Sequence, residues 1–111
     1  MNARRKGIRA ENEAAAALSA VFGIPCRRAS RMYLPGFDAP DVTGLPGVHV
    51  EVKRREHLNL TAAVRQSKAD VQAGEIAVVI HRPRRAAWLL TVALSDAPEL
   101  AGRIMALCPA G

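Results

Sequence analysis

The stretch Val48-His49-Val50-Glu51-Val52-Lys53 is the most informative part of this sequence. Valines alternate with polar residues, a pattern typical of a β-strand with one buried face, and we predict a strand from Val48 to Arg54. Side chains alternate between the faces of a strand, so His49, Glu51 and Lys53 should share one face. The pattern therefore places a carboxylate beside an ammonium group.

A tight turn precedes this strand. Gly44-Leu45-Pro46-Gly47 is typical of a short connection, and we expect Asp41–Thr43 to begin a short strand before it. The two strands should form an antiparallel hairpin that folds Asp41 back towards Glu51. The pattern does not specify the register between them.

The N-terminal segment predicts a helix from about Arg4 to Phe22, because alanine and glutamate are strong helix formers. Its apolar stripe consists of Ile8, Ala15, Leu18 and Phe22. Glu11 falls on the same stripe, where most helices have no glutamate. Such an inconsistency is typical of functional sites, so Glu11 is a candidate third carboxylate beside the hairpin.

The other elements follow from periodicity and from turn residues. They are a strand within Ile24–Arg31, a helix over Leu60–Ala73 capped by Asn59 and stopped by Gly74, strands over Ile76–His81 and Ala87–Val92, and a helix from Ser95 or Asp96 to Met105. This order predicts one α/β domain spanning residues 1–111, with a mixed central β-sheet flanked by helices.

Composition favours a basic globular protein. The 111 residues are 50% hydrophobic, and 16 Lys+Arg against 10 Asp+Glu give a net charge of +6. A basic surface attracts nucleic acid or anionic membrane, although arginine-rich solvated faces would give the same balance. No apolar run is long enough for a bilayer, and we expect no membrane partner. The distant Cys26 and Cys108 favour a reducing cytoplasm.

The hairpin residues suit phosphodiester chemistry. Mg²⁺ prefers oxygen ligands, usually one or two carboxylates with water and substrate phosphate, and Asp41 and Glu51 could supply them. Lys53 could orient the attacking water or stabilise charge on the phosphoryl group. The alternative is an exposed strand face with a weak ion pair.

Several segments resemble a known family. Pro40-Asp41 followed by Glu51-Val52-Lys53 resembles the PD-(D/E)xK signature of the restriction-endonuclease-like superfamily. Lys6-Gly7-Ile8-Arg9-Ala10-Glu11 resembles the opening of archaeal-type Holliday junction resolvases. Arg28 and Ser30 resemble the arginine and serine that precede the aspartate strand in those proteins.

The resemblance implies a restriction-endonuclease-like fold and a Mg²⁺-dependent DNA endonuclease, with Mn²⁺ able to substitute. It also implies a homodimer acting on branched DNA in the cytoplasm of a bacterial or phage-infected cell. Catalytic roles fall on Glu11, Asp41, Glu51 and Lys53, with the three carboxylates as metal ligands. The nucleic-acid-binding candidates are Arg4, Arg5, Lys6, Arg9, Arg28, Ser30, Arg54 and Arg55.

Some assignments stay open. Gln66 on the second helix could be a site residue, as in some exonuclease-like relatives, or a polar residue on a solvated face. His49 could contact metal or phosphate, or it could be structural. Asp38 competes with Asp41 for the metal. A non-catalytic nucleic-acid-binding module and a restriction- or exonuclease-type enzyme remain alternative functions.

Overall fold

The described part of the protein is built around a five-stranded sheet with helices on both faces. The computed structural model describes residues 3–29, 40–54, 57–83 and 86–108, with side chains from residue 7 onward. Its elements are α1 (Ala3–Phe22), β1 (Arg27–Arg28), β2 (Val42–Thr43), β3 (Val48–Lys53), α2 (Leu60–Asp70), β4 (Ile76–His81), β5 (Leu89–Val92), a 3-10 turn (Leu94–Asp96) and α3 (Ala97–Leu107).

The sheet is mixed, as predicted. Its strand order is β1-β2-β3-β4-β5, and every neighbouring pair is antiparallel except β3 and β4. Parallel strands need a crossover connection, and α2 provides it between β3 and β4. The predicted hairpin of β2 and β3 is confirmed, with Val42 opposite Val50.

The core lies between one face of the sheet and two helices. Even-numbered residues of β3 and β4 pack with apolar side chains of α1 and α3; the buried cluster includes Ala14, Ala15, Leu18, Val48, Val50, Ile76, Val78, Ile80 and Leu100. The opposite face presents Ala77 and Val79 to α2, whose Ser67 is buried. Burial on both faces explains the uninterrupted apolar pattern of β4.

The predicted boundaries of three elements differ most from the structure. β1 is shorter at its start, because Pro25 has no N–H for a strand ladder. α2 keeps the predicted Asn59 cap but ends at Asp70, since Val71 is extended and Gln72 and Glu75 form a turn that contains Gly74. β5 begins at Leu89 instead of the predicted Ala87, and Leu89 is 50% exposed.

No helix among the described residues is long and apolar enough to cross a membrane. The prediction that the whole chain forms a single domain concerns residues 1–111, including those outside the described ranges.

Candidate functional site

The hairpin brings Asp41 and Glu51 together. Val42 pairs with Val50, so the antiparallel register places Asp41 across from Glu51. The Asp41 N–H donates to the carbonyl of Val50 at 2.7 Å, and the Val52 N–H donates to Asp41 Oδ2 at 2.9 Å. Backbone hydrogen bonds therefore hold the aspartate in the ladder, with its carboxylate beside that of Glu51.

The two carboxylates perturb each other's ionisation. Burial raises the pKa of Asp41 to about 7, and the charge of Glu51 adds to the increase, although the Val52 N–H opposes it. Burial would also raise the pKa of Glu51, but hydrogen bonds with His49 and Asp41, with the positive charge of Lys53, outweigh it and lower that pKa. The pair therefore favours sharing one proton near neutral pH, as close carboxylates do.

His49 holds Glu51 from within the protein. It is only 1% exposed, and its Nε2 lies 2.9 Å from Glu51 Oε1. This hydrogen bond raises the pKa of His49 despite its burial. Its Nδ1 is buried and has no hydrogen-bond partner among the described residues. His49 was one of the possible site residues, and the structure places it against a candidate metal ligand.

Glu11 faces inward, as its position on the apolar stripe predicts. Arg28 Nε donates to Glu11 Oε2 at 2.8 Å, and the Glu11 side chain is 14% exposed. Its negative charge contributes to the raised pKa of Asp41, so the helix carboxylate lies at the same end of the hairpin. An arginine that was a nucleic-acid-binding candidate thus neutralises a metal-ligand candidate in this structure.

Lys53 completes the group at the end of β3. It is half-buried on the strand that carries Glu51, and its ammonium charge contributes to the lowered pKa of that carboxyl group. The alternation of β3 predicts this ammonium group beside the carboxylate of Glu51.

The donor set fits a hard cation in part. Among residues 3–29, 40–54, 57–83 and 86–108, no group of three or more His, Cys, Asp or Glu side chains has a metal-binding geometry. Two close carboxylates that favour a shared proton are nevertheless suited to a cation in its place. Mg²⁺ usually takes one or two carboxylates and completes its shell with water and phosphate, so Asp41 and Glu51 suffice.

Two residues near this site were not predicted as functional. Glu13 forms ion pairs with Arg9 at 3.3 Å and Arg54 at 3.7 Å, and it is hydrogen-bonded to Arg82. Arg82 also lies over the Trp88 ring, 4.5 Å from its centroid. The four-residue spacing of Arg9 and Glu13 on a helix was the only sequence signal for this group.

The remaining candidates are not brought to the carboxylates by the described structure. Gln66 is exposed on α2 and donates to Asp70 Oδ1 at 2.9 Å, which favours the solvated-face interpretation. Ser30, Asp38 and Arg55 lie outside the described residues, as do the side chains of Arg4, Arg5 and Lys6.

The sheet order and the α2 crossover define a small mixed α/β fold of the kind that the resemblance predicted. A solved structure with this fold is Hjc of Archaeoglobus fulgidus, a Holliday junction resolvase from an archaeal hyperthermophile. It is 22% identical over 76% of this chain and 74% of that chain, with a TM-score of 0.51. The likeness concerns the fold. No protein-family model and no curated protein sequence matches the chain.

Proposed function

We propose that this protein is a metal-dependent DNA nuclease whose active site is formed by Asp41, Glu51 and Lys53. The supporting observation is the pairing of Asp41 with Glu51 across the hairpin, with the pKa of Asp41 raised to about 7 and Lys53 two positions along the same strand face. A partly buried carboxyl group with a strongly raised pKa beside a second carboxylate is characteristic of functional sites.

Each residue has a defined task in this proposal. Asp41 and Glu51 hold a divalent cation, with Glu11 as a third candidate ligand. When bound, the cation polarises the phosphoryl group and lowers the pKa of a water molecule. Lys53 stabilises negative charge that develops on the phosphate oxygens. His49 fixes the Glu51 carboxylate, as residues behind metal ligands commonly do.

The finer proposals come from the sequence resemblance and from the fold. The solved neighbour is a Holliday junction resolvase, which supports endonucleolytic cutting of branched DNA by this chain. Mg²⁺ is the proposed cofactor, with Mn²⁺ as a substitute. A homodimer is the proposed assembly, because two paired nicks across a junction require two sites; light scattering of the purified chain tests it.

The test of catalysis is cleavage of labelled DNA by the purified chain. We expect Mg²⁺ or Mn²⁺ to support nicking of a four-way junction more than of its linear duplex. Glu51→Gln and Lys53→Ala should abolish cutting while DNA binding in EDTA persists. Glu99→Gln is the matched control, since Glu99 lies on α3, where it pairs with Arg103.

The alternative function, a nucleic-acid-binding module without catalysis, is favoured by the basic surface. It predicts salt-dependent binding with no cutting of a junction, a flap or a nicked duplex under either metal. In that case Asp41→Asn would leave every DNA readout unchanged. Stepwise loss from DNA ends would instead indicate an exonuclease.

A further inference from the structure

Glu13 is surrounded by arginines from separate parts of the chain. Arg9 lies one turn before it on α1, Arg54 directly follows β3, and Arg82 directly follows β4. The Nε of Arg9 is 3.3 Å and the Nη1 of Arg54 is 3.7 Å from the Glu13 carboxylate, and Arg82 Nη2 donates a hydrogen bond to it. One carboxylate thus meets three guanidinium groups.

This group carries a net positive charge that one carboxylate does not neutralise. The exposed fractions are 64% for the Arg9 side chain, 44% for Arg54 and 31% for Glu13, so solvent reaches the cluster. Arg82 is only 23% exposed and stacks on Trp88, which fixes its guanidinium in place. The two non-bridging oxygens of a phosphodiester share one negative charge, as the two oxygens of a carboxylate do, so a fixed arginine beside two accessible ones is suited to bind a backbone phosphate in the same way.

The cluster lies at the same end of the sheet as the proposed catalytic lysine. Lys53 pairs with His81 in the parallel register of β3 and β4. Arg54 and Arg82 are the next residues, so they leave the two strands side by side. The alternation of β3 and β4 turns them towards α1, where Glu13 lies, and away from the Lys53 face.

We propose that Arg9, Arg54 and Arg82 form a binding site for a DNA backbone phosphate at the same end of the sheet as Lys53, and that Glu13 occupies this site in the free protein. When DNA binds, contacts between the phosphate and the three arginines replace the contacts between Glu13 and those arginines. Glu13 acts as a competitor of the phosphate and weakens DNA binding. This inference deepens the proposed function and rests on DNA being the substrate.

The sign of the effect of Glu13 tests this inference. Binding of a labelled duplex or junction is measured in EDTA over a range of salt concentrations, so that catalysis plays no part. Glu13→Gln should tighten binding several-fold, whereas Arg82→Gln should weaken it and reduce the slope of log affinity against log salt by about one. Arg54→Gln should reduce the slope by a similar amount.

Glu99→Gln is the matched control, because it removes the same negative charge from another glutamate that pairs with an arginine. Its partner Arg103 binds the carbonyl of Gly47, at the opposite end of β3. A purely structural ion-pair network predicts that Glu13→Gln and Arg82→Gln both weaken binding or both leave it unchanged. That result, or a gain for Glu13→Gln no larger than for Glu99→Gln, would overturn the inference.

Stability and cutting separate the remaining outcomes. Thermal unfolding of each variant identifies any that has lost its fold. If Arg82→Gln is unfolded, Arg54→Gln replaces it in the binding test, because Arg54 is 3.7 Å from Glu13 and its loss should disturb the fold least. If the wild-type protein binds DNA through Arg82 but does not cut it, the proposed nuclease function is rejected and the phosphate site is retained. If the protein cuts DNA and neither Arg54→Gln nor Arg82→Gln changes binding, the nuclease function is retained and the phosphate site is rejected.

Discussion

The Nε2 of His49 lies 2.9 Å from Oε1 of Glu51, two residues further along the same strand, and His49 is almost completely buried. The imidazole is enclosed within the protein, so the position of its Nε2 is fixed before any ligand arrives. His49 therefore restrains one oxygen of the Glu51 carboxylate, and Asp41 and Lys53 are the other charged neighbours of that carboxylate.

This relationship predicts that His49 acts as a positioning residue for metal binding. His49→Ala should raise the Mg²⁺ concentration needed for half-maximal cutting, on the order of 10-fold, as loss of residues behind metal ligands does. His49→Gln keeps an N–H donor and should recover part of the loss. Activity is measured across a Mg²⁺ titration.

A merely structural role for His49 gives a different pattern. Both variants would then lose thermal stability, and activity at saturating Mg²⁺ would fall with no change in the metal requirement. Equal Mg²⁺ titration midpoints for the wild type and His49→Ala would contradict the prediction.

The raised pKa of Asp41 predicts how stability depends on pH without metal. The folded state holds a proton on Asp41 up to about pH 7, whereas the ordinary pKa of an aspartate is 3.8. Stability from this group is therefore complete below about pH 3.8 and is lost as pH rises through about 7. The raised pKa of His49 likewise makes stability fall as pH rises. The lowered pKa of His81 has the opposite effect: its contribution to stability falls as pH drops below the ordinary histidine pKa of 6.5.

Thermal unfolding in EDTA between pH 5 and 8 checks this prediction. Asp41→Asn should flatten the decline, because the amide does not titrate, and the difference between the two proteins cancels the contribution of His81. A parallel decline in both proteins would assign the pH dependence to other groups.

Divalent metal should reverse the same loss at high pH. A cation between Asp41 and Glu51 replaces the shared proton, so Mg²⁺ or Mn²⁺ should raise the Tm at pH 8 and have less effect at pH 5. At a metal concentration 100 times the Kd the stabilisation would be about 2.7 kcal/mol. Asp41→Asn should lose most of the shift, and Glu99→Gln should keep it.

The sequence predicted the elements whose patterns are local. The alternation of β3 specified a strand, and with the Gly44–Gly47 turn it specified a hairpin carrying Asp41 and Glu51. The inward position of Glu11 was predictable because Glu11 falls on an apolar stripe, whereas its role as a metal ligand stays a prediction. Register was not predictable, since it depends on which backbone hydrogen bonds close the turn.

Contacts between distant segments were not predictable either. Arg82 and Glu13 are 69 positions apart, and only the packing of α1 on the sheet brings them together. The burial of His49 also depends on tertiary packing, whereas the polar residues on its strand face suggested exposure. A single sequence carries no signal for either.

Two buried or half-buried serines should respond oppositely to truncation. The Ser67 Oγ is buried with no partner among the described residues, so Ser67→Ala removes an unsatisfied hydroxyl and should leave stability equal or higher. The Ser19 Oγ accepts from the N–H of Cys26 at 2.8 Å and lies 2.9 Å from the carbonyl of Ala15. Ser19→Ala should cost about 1 to 2 kcal/mol. Urea unfolding compares them, and equal losses would contradict the contrast.

Gly44 is the position where the hairpin tolerates least change. It adopts φ +125°, and an added Cβ would lie 2.3 Å from the carbonyl oxygen of Pro25 and 2.9 Å from Cys26 Cα, both backbone atoms that cannot rotate away. Gly44→Ala should therefore separate the turn from β1 and cost about 3 kcal/mol or more. Gly102→Ala is the matched control, since an added Cβ on helix α3 meets nothing within 4 Å and should increase the free energy of unfolding by about 0.5 to 1 kcal/mol.

Because the same turn sets the register of Asp41 against Glu51, Gly44→Ala should also abolish the metal-dependent rise in Tm under conditions where the variant is still folded. A folded Gly44→Ala protein that keeps the full metal response would mean that the turn does not control the carboxylate pair.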